Sequence, residues 1–264
     1  MRNIGFVGLG NMAYALIEGF VGSKAADPKK IYAYAPHRDK LLENCGKLGI
    51  NASDDVKSLV GQSDMIFIAC KPYQIEAALK EVHDLIKGKA VVSIASGWGF
   101  DKFKRLLGDS VRVQFVMPNT PAMVGEGVFL FEETNTLKDD ERKELTELFS
   151  SIGMIEELPT GLMDIGSAVS GCGPAFVDLM TESYADAAVK YGIPRDTAYR
   201  IVSGMIMGSA KLIHDTAKHP GQLKDAVCSP GGTTIRGVEA LEKNGFRSAC
   251  MSSIEAIMDF KKQD

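Results

Sequence analysis

The stretch Gly8-Leu9-Gly10-Asn11-Met12-Ala13 directly follows a short apolar run, Asn3–Val7. The run is typical of a buried parallel strand, and the residues after the glycines have the apolar spacing of a helix. In this context Gly8 permits a tight turn, Gly10 lets the backbone approach a phosphate, and Ala13 allows close packing of helix on strand. The stretch therefore predicts a dinucleotide-binding turn, with the pyrophosphate at the helix N-terminus. The alternative is a glycine-rich turn of an unrelated α/β protein.

The turn after the second predicted strand contains no carboxylate. It reads Ala35-Pro36-His37-Arg38, where an NAD enzyme usually places an Asp or Glu on the ribose 2′-hydroxyl. Arg38 or His37 would instead pair with a 2′-phosphate, so we predict NADPH as the preferred cofactor, with NADH possible. The alternative is that Arg38 and Lys40 are solvated residues at the start of the next helix.

The bulk composition is that of a soluble globular protein. The 264 residues carry a net charge of −4, with 45% hydrophobic and 24% charged residues. Mild acidity argues against nucleic-acid binding, and no run of about 18 apolar residues predicts a membrane span. The five cysteines are scattered without CxxC spacing, and the four histidines form no ligand pair, so we expect neither disulfides nor a metal site. No signal-peptide pattern opens the chain, and we expect a cytoplasmic protein.

The chain up to about residue 160 alternates predicted strands and helices. The strands are predicted at Ile4–Gly8, Ile31–Tyr34, Met65–Cys70, Ala90–Ala95, Val111–Val116, Gly127–Phe131 and Met154–Leu158. The helices are predicted at Ala13–Gly22, Asp39–Leu48, Asp54–Gly61, Pro72–Ile86, Phe100–Leu107 and Lys138–Ser151. This rhythm predicts an α/β Rossmann-like domain over residues 1–160, with a parallel-rich doubly wound sheet.

Residues 161–264 are predicted to form an all-α domain. Its helices are expected at Asp164–Ala168, Pro174–Tyr191, Arg195–Thr216, Thr234–Asn244 and Arg247–Lys262. Helices of about 100 residues bury only a modest core, and many of these residues are small enough to allow close helix packing. We therefore expect this domain to form a homodimer. A compact monomeric bundle is the alternative.

Several turns carry candidate site residues. Cys70-Lys71-Pro72, Ser93–Gly97 and Met117–Pro121 each follow a predicted strand, at the carboxyl edge where open α/β sheets bind ligands. Asn119 is a candidate for positioning substrate or nicotinamide, or simply forms a turn. Ser170-Gly171-Cys172-Gly173-Pro174 is expected to open a long helix and to help shape the site.

The segment Ser229-Pro230-Gly231-Gly232-Thr233-Thr234 precedes another predicted helix. Pro230 is expected at the helix start, and the glycines leave N–H groups uncovered, so the segment suits a small carboxylate. An ordinary helix cap is the alternative. We find no paired carboxylates, triad signature or metal cluster in the sequence. Hydride transfer to an already protonated imine fits that absence, because the cofactor supplies the chemistry.

These motifs resemble those of the pyrroline-5-carboxylate reductase family across nearly the whole chain. The most specific match is His219–Asp225 together with Ser229–Thr234. The resemblance implies NAD(P)H-dependent reduction of Δ1-pyrroline-5-carboxylate, a cyclic imine carboxylate, to L-proline. It also implies a helical dimerisation domain and often the assembly of dimers into a decamer. Cys172 departs from the usual Ser of the SGSGP motif, which puts any hydroxyl role there in doubt.

The resemblance also implies roles for individual residues. Substrate carboxylate binding falls on Ser229, Gly231, Gly232 and Thr233, and a hydrogen bond to the ring nitrogen falls on Thr234, the candidate catalytic residue. Cofactor contacts fall on Gly8, Leu9, Gly10, Asn11, Met12, Ala13, Ala35, Pro36, His37, Arg38, Ala69, Lys71, Pro72, Ala95 and Asn119.

Three other functions stay open at this point. A β-hydroxyacid dehydrogenase shares the two-domain plan, but it uses a catalytic Lys on the long helix, where this chain has Lys190 only at the far end. A non-catalytic NADPH-binding regulator is possible, although the intact Ser229–Thr234 segment argues against it. A paralogue that reduces a six-membered imine is the third alternative.

Overall fold

Eight strands form a single sheet within residues 2–261, the part of the chain that the computed structural model describes. They are β1 Ile4–Val7, β2 Ile31–Tyr34, β3 Asn51–Ala52, β4 Met65–Ile68, β5 Ala90–Ser93, β6 Arg112–Met117, β7 Gly127–Glu132 and β8 Gly153–Leu158. The order is β3-β2-β1-β4-β5-β6-β7-β8, and only the β6–β7 pairing is antiparallel. The predicted parallel-rich sheet is confirmed. The two-residue β3 was not predicted, because it is too short to show a period.

Six helices of the N-terminal part flank this sheet in the described residues: α1 Asn11–Gly22, α2 Arg38–Leu48, α3 Val56–Gln62, α4 Ile75–Lys80, α5 Phe100–Leu107 and α6 Asp139–Ser150. The helix predicted over Pro72–Ile86 is wrong at both ends. Its first residues form a 3₁₀ turn, and α4 stops at Lys80, where the Val82 N–H bonds to the Leu79 carbonyl three residues back. The turns that follow still bury Val82 and Ile86, so burial is kept without a regular helix.

Apolar side chains cover both faces of the sheet, as a parallel sheet requires. Alternate residues of each central strand enter opposite layers: Phe67 of β4 packs in one, and Ile66 and Ile68 in the other. The first layer is aromatic, with Phe6 and Phe67 stacked at 4.6 Å between ring centroids and Phe149 edge-on to Phe129 at 4.7 Å. These layers fix the strand ends from which the candidate site is built.

The remaining helices are α7 Met163–Lys190, α8 Arg195–Thr216, α9 Pro220–Val227, α10 Thr233–Lys243 and α11 Phe246–Lys261. The predicted all-α character is confirmed, although the helix predicted to end at Lys262 runs beyond the described residues. Helix α9 was not predicted, but Pro220 at its first position and His219, whose Nδ1 accepts from the Gly221 N–H at 3.0 Å, mark its start. By compactness the chain divides between Cys172 and Gly173. The predicted domain boundary at residue 160 stays a prediction.

Helix α7 runs without a break through Ser170–Pro174, so the prediction of a turn there is wrong. A proline inside a helix has no N–H for the carbonyl four residues earlier, here that of Ser170. The side chain of Asn119 supplies the missing donor, with its Nδ2 3.1 Å from the Ser170 oxygen. This substitute bond explains how the helix continues past Pro174.

The helical unit that begins at Gly173 has a small core. Its buried apolar side chains are Ala185, Ala198 and Val202 among the described residues. Large apolar side chains lie exposed instead, among them Met207 at 71% and Leu179 at 64% of full exposure. Exposed apolar surface on this scale marks an interaction face. None of the described helices is long and apolar enough to span a membrane.

Candidate active site

A cleft of about 720 Å³ lies at the carboxyl ends of β1, β2, β4 and β5. The strand order reverses between β1 and β4, which is the switch point where open α/β sheets bind their ligands. The volume is in the range of cofactor sites. The lining includes the predicted residues Gly8, Leu9, Gly10, Asn11, Met12, Ala13, Ala35, Pro36, His37, Ala69, Lys71, Pro72 and Ala95.

The two glycines of the first turn do different work. Gly8 has φ +104°, and a Cβ there would lie 2.6 Å from the Cys70 nitrogen and 2.7 Å from the Ala69 oxygen. The Gly8 N–H donates to the Tyr34 carbonyl at 2.8 Å, which ties the turn to β2. A Cβ on Gly10 would meet no atom within 4 Å, so its surface is open.

The start of α1 is an uncovered anion site. Gly10 is its N-cap, no side chain caps it, and no acidic residue lies in the first turn. The first N–H groups of a helix have no partner inside the helix, and they carry partial positive charge. With Gly10 open beside them, these groups fit the pyrophosphate of a dinucleotide.

The charged side chains that line the cleft are cationic. Lys40 and Lys71 line it together with His37, whereas no Asp or Glu does so among the described residues. Arg38 does not line the cleft: its Nη1 donates to the Ser53 carbonyl at 3.0 Å and its Nη2 to Asp54 Oδ1 at 2.6 Å. An anionic cofactor therefore meets positive charge, but not that of Arg38.

Asn119 also lies outside the lining. Its side chain is buried, its Oδ1 accepts from the Val128 N–H at 2.9 Å, and its Nδ2 donates to Ser170. Both polar atoms of the amide are thus used inside the protein. The next residue, Thr120, does line the cleft, so Asn119 holds the backbone that presents Thr120.

Sequence reasoning missed several lining residues. They are Ala15, Lys40, Leu41, Asn44, Tyr73, Gln74 and Met123, whereas Cys70, Ile94, Ser96 and Thr120 belong to turns that were singled out. Lys40 and Asn44 are four residues apart on α2, a spacing that places them on one helix face and was visible in the sequence. Cys70 belongs to a turn that was singled out, and desolvation by burial raises the pKa of its thiol. A neutral buried thiol is a poor nucleophile.

The Ser229–Thr234 segment forms a tight turn at the start of α10. The Ser229 carbonyl accepts from the Gly232 N–H at 3.0 Å, and Gly231 between them has φ +71°. Pro230 followed by a positive-φ glycine is the signature of a type II turn. The expectation that Pro230 begins the helix is therefore wrong, because the turn precedes the N-cap, Gly232.

This turn keeps its polar groups free. No side chain caps α10, and no acidic residue lies in its first turn. The hydroxyls of Ser229, Thr233 and Thr234 make no hydrogen bond to any residue in the range 2–261. A Cβ on Gly232 would lie 2.4 Å from Ser229 Oγ, so only glycine leaves that hydroxyl its place. The segment offers N–H and O–H donors to a carboxylate instead of capping itself.

Known proteins that match this chain agree with these features. The family model described as pyrroline-5-carboxylate reductase dimerisation matches residues 160–264, and one described as NADP oxidoreductase, coenzyme F420-dependent, matches residues 3–97. A solved structure of pyrroline carboxylate reductase from Plasmodium falciparum with NADP bound has a TM-score of 0.89 and 32% identity, covering 99% of this chain and 97% of that one.

Two relatives match over nearly their whole length. Pyrroline-5-carboxylate reductase of Treponema pallidum (strain Nichols) is 39% identical, covering 97% of this chain and 98% of that protein. Pyrroline-5-carboxylate reductase of Escherichia coli (strain K12) is 38% identical, covering 98% and 96%. These matches decide against the β-hydroxyacid dehydrogenase alternative and confirm the resemblance seen in the motifs. The chain belongs to the pyrroline-5-carboxylate reductase family of oxidoreductases.

Proposed function

We propose that this chain, a reductase of Δ1-pyrroline-5-carboxylate by family, forms L-proline with NADPH bound in the cleft at β1, β2, β4 and β5. The observation that carries the proposal is the open start of α1 beside Gly10, in a cleft whose charged lining is Lys40 and Lys71. A relative of known structure has NADP bound. NADH is a weaker alternative donor in this proposal, because it lacks the third phosphate that the lysines attract.

The contacts proposed for the cofactor follow from that lining. They are the Gly8–Ala13 turn, the Ala35–His37 turn, Ala69, Lys71, Pro72 and Ala95. Bound NADPH supplies the hydride that reduces the imine carbon. Arg38 and Asn119 stay predictions as cofactor contacts, since neither lines the cleft.

The Ser229–Thr234 turn is proposed to hold the substrate carboxylate. The hydroxyls of Ser229 and Thr233 donate hydrogen bonds to this carboxylate. The backbone N–H groups next to Gly231 and Gly232 are its other donors. Thr234 directs its hydroxyl to the ring nitrogen, where it donates or relays the proton that keeps the imine cationic. As the carbon accepts hydride, the C=N electron pair moves to nitrogen, which retains that proton in the product amine. Free donors at this turn support this assignment.

The helical unit is proposed to pair with a second copy, and dimers to assemble into a decamer. The dimerisation model over residues 160–264 supports oligomerisation, and the exposed Leu179 and Met207 support an apolar interface. Sedimentation velocity tests this, since a single-chain mass at micromolar concentration would contradict it. A cytoplasmic location is also proposed, supported by five cysteines that are all free thiols.

The role of Thr234 is tested by Thr234→Ala and Thr234→Ser. Loss of a proton-handling group lowers turnover by a factor on the order of 100 or more. We expect that loss in kcat for Thr234→Ala, a NADPH dissociation constant within about twofold of wild type, and substantial recovery in Thr234→Ser. Equal turnover in Thr234→Ala would remove this residue from the mechanism.

A further inference from the structure

One face of α2 borders the cofactor cleft. His37, Lys40, Leu41 and Asn44 line the cleft, and their spacing of three and four residues places them along one side of the helix. Leu41 is buried and holds this side of α2 against the protein, while Lys40 is exposed. The ammonium group of Lys40 therefore has access to the cleft from a fixed helix.

Arg38 lies about 100° around the helix from His37, on a different face. Its guanidinium group bonds to the Ser53 carbonyl and to the Asp54 carboxylate, at 3.0 and 2.6 Å. These partners follow β3, at the edge of the sheet. Arg38 therefore joins α2 to the residues that follow β3.

The side chain of Lys40 is not bonded to other residues in this way. Within residues 2–261 its side chain makes no hydrogen bond and no ion pair. The neighbouring Glu43 is bonded to Lys47 at 2.7 Å, which leaves Lys40 free for another anion. Asp39 is the other nearby carboxylate and does not line the cleft.

The start of α2 adds partial positive charge to that of the Lys40 ammonium group. His37 is its N-cap and forms no side-chain cap bond, so the first N–H groups of the helix stay uncovered beside Lys40. We propose that Lys40, and not Arg38, is the residue that selects the phosphorylated nucleotide, by binding the 2′-phosphate together with the start of α2. This rests on the proposed use of NADPH in the cleft. Asn44, one turn further along α2, also lines the cleft.

Direct binding measurements separate the two cations. Dissociation constants of NADPH and NADH are measured by nucleotide fluorescence for wild type, Lys40→Gln, Arg38→Gln and Lys80→Gln. A charge-assisted bond to phosphate is worth roughly tenfold or more in affinity. We expect Lys40→Gln to weaken NADPH at least about tenfold and to leave NADH within twofold. Lys80→Gln, an exposed lysine of α4 outside the cleft, controls for the loss of one charge and should match wild type.

Either of two results overturns the proposal. One is an unchanged NADPH-to-NADH affinity ratio in Lys40→Gln, and the other is loss of that ratio in Arg38→Gln alone. Binding of 2′,5′-ADP against 5′-AMP repeats the comparison without the nicotinamide, and the tenfold loss must appear there too. Turnover of Δ1-pyrroline-5-carboxylate by wild type at saturating NADPH separates this proposal from the function: if turnover is absent while the effect of Lys40→Gln on NADPH binding remains, the proposed function fails and the Lys40 assignment stands.

Discussion

At the scale of single residues, the cofactor turn depends on two glycines for different reasons. Gly8 needs its positive φ and has backbone atoms of Ala69 and Cys70 where a Cβ would be. Gly10 has ordinary dihedrals and open space, so its lack of a side chain matters only when something occupies the cleft. Gly8 is therefore required by the fold, and we predict that Gly10 is required by the bound cofactor.

Alanine at each position separates these roles. Gly8→Ala should lower the free energy of unfolding by more than about 1 kcal/mol, because both the φ angle and the clash oppose it. The free energy of unfolding of Gly10→Ala should stay within about 0.5 kcal/mol of that of wild type. Its binding of NADPH should be several-fold weaker. Urea unfolding and nucleotide titration of both variants check this. If Gly10→Ala both lost stability and bound NADPH more weakly, the two glycines would not have separate roles.

The predictions for the Gly8–Ala13 turn concerned backbone geometry, which the sequence could predict. Its glycines and the following helical pattern were enough to predict the Gly8–Ala13 lining. Arg38 and Asn119 show the limit, because their side-chain partners come from Asp54 and Ser170, which no local pattern links to them. A side chain's direction is decided by tertiary contacts that sequence spacing alone does not contain.

At the scale of elements, a buried carboxylate of α6 is bonded to the neighbouring strand β6. Glu141 accepts from Arg112 of β6 at 2.7 and 2.6 Å, and from the Lys138 N–H at 2.9 Å. Desolvation by burial works to raise the pKa of Glu141, but the bonds from Arg112 and Lys138 outweigh it and hold that pKa below the ordinary 4.5. The anion is the form that the fold stabilises.

The effect on stability follows from that sign. A carboxyl with a lowered pKa contributes stability above its unfolded value, about pH 4.5, and loses it as pH falls through the folded value. Glu141→Gln should cost about 3 kcal/mol at pH 7, because it leaves Arg112 without its partner. The difference from wild type should shrink below about pH 4.5. Urea midpoints measured from about pH 3.5 to about pH 7 test this dependence.

The exposed Glu147 on the same helix provides the control for this variant. Glu147→Gln should stay within about 0.5 kcal/mol of wild type at every pH, as surface changes do. A stability difference for Glu141→Gln that does not vary with pH would show that the charge of Glu141 is not what matters.

Element prediction succeeded where a pattern was long, as in α8, and failed where a single contact overrode a local signal. A proline such as Pro174 normally marks a helix start. Here α7 continues through it, because the Asn119 amide bonds to the Ser170 carbonyl. The turn at Pro230 is the converse case, where proline stands two residues before the N-cap rather than inside the helix. Both corrections depend on hydrogen bonds that only the folded chain reveals.

At the scale of the whole molecule, the two units differ in how complete they are. The first buries apolar layers on both faces of its sheet, whereas the second buries little beyond Ala185, Ala198 and Val202 in its described part. An incomplete core and a matching dimerisation model both point to assembly of copies as part of the fold. The Ser229–Thr234 turn, which we propose holds the substrate carboxylate, belongs to this second unit.

We propose that the chain reduces Δ1-pyrroline-5-carboxylate to L-proline with NADPH. The most direct measurement is NADPH oxidation by the purified protein with this substrate, run beside NADH and with proline identified as product. We predict rapid turnover to proline with NADPH and a lower kcat/KM with NADH. Absence of turnover with both nucleotides, in protein that still binds NADPH, would contradict the account and favour another imine substrate or a regulatory role.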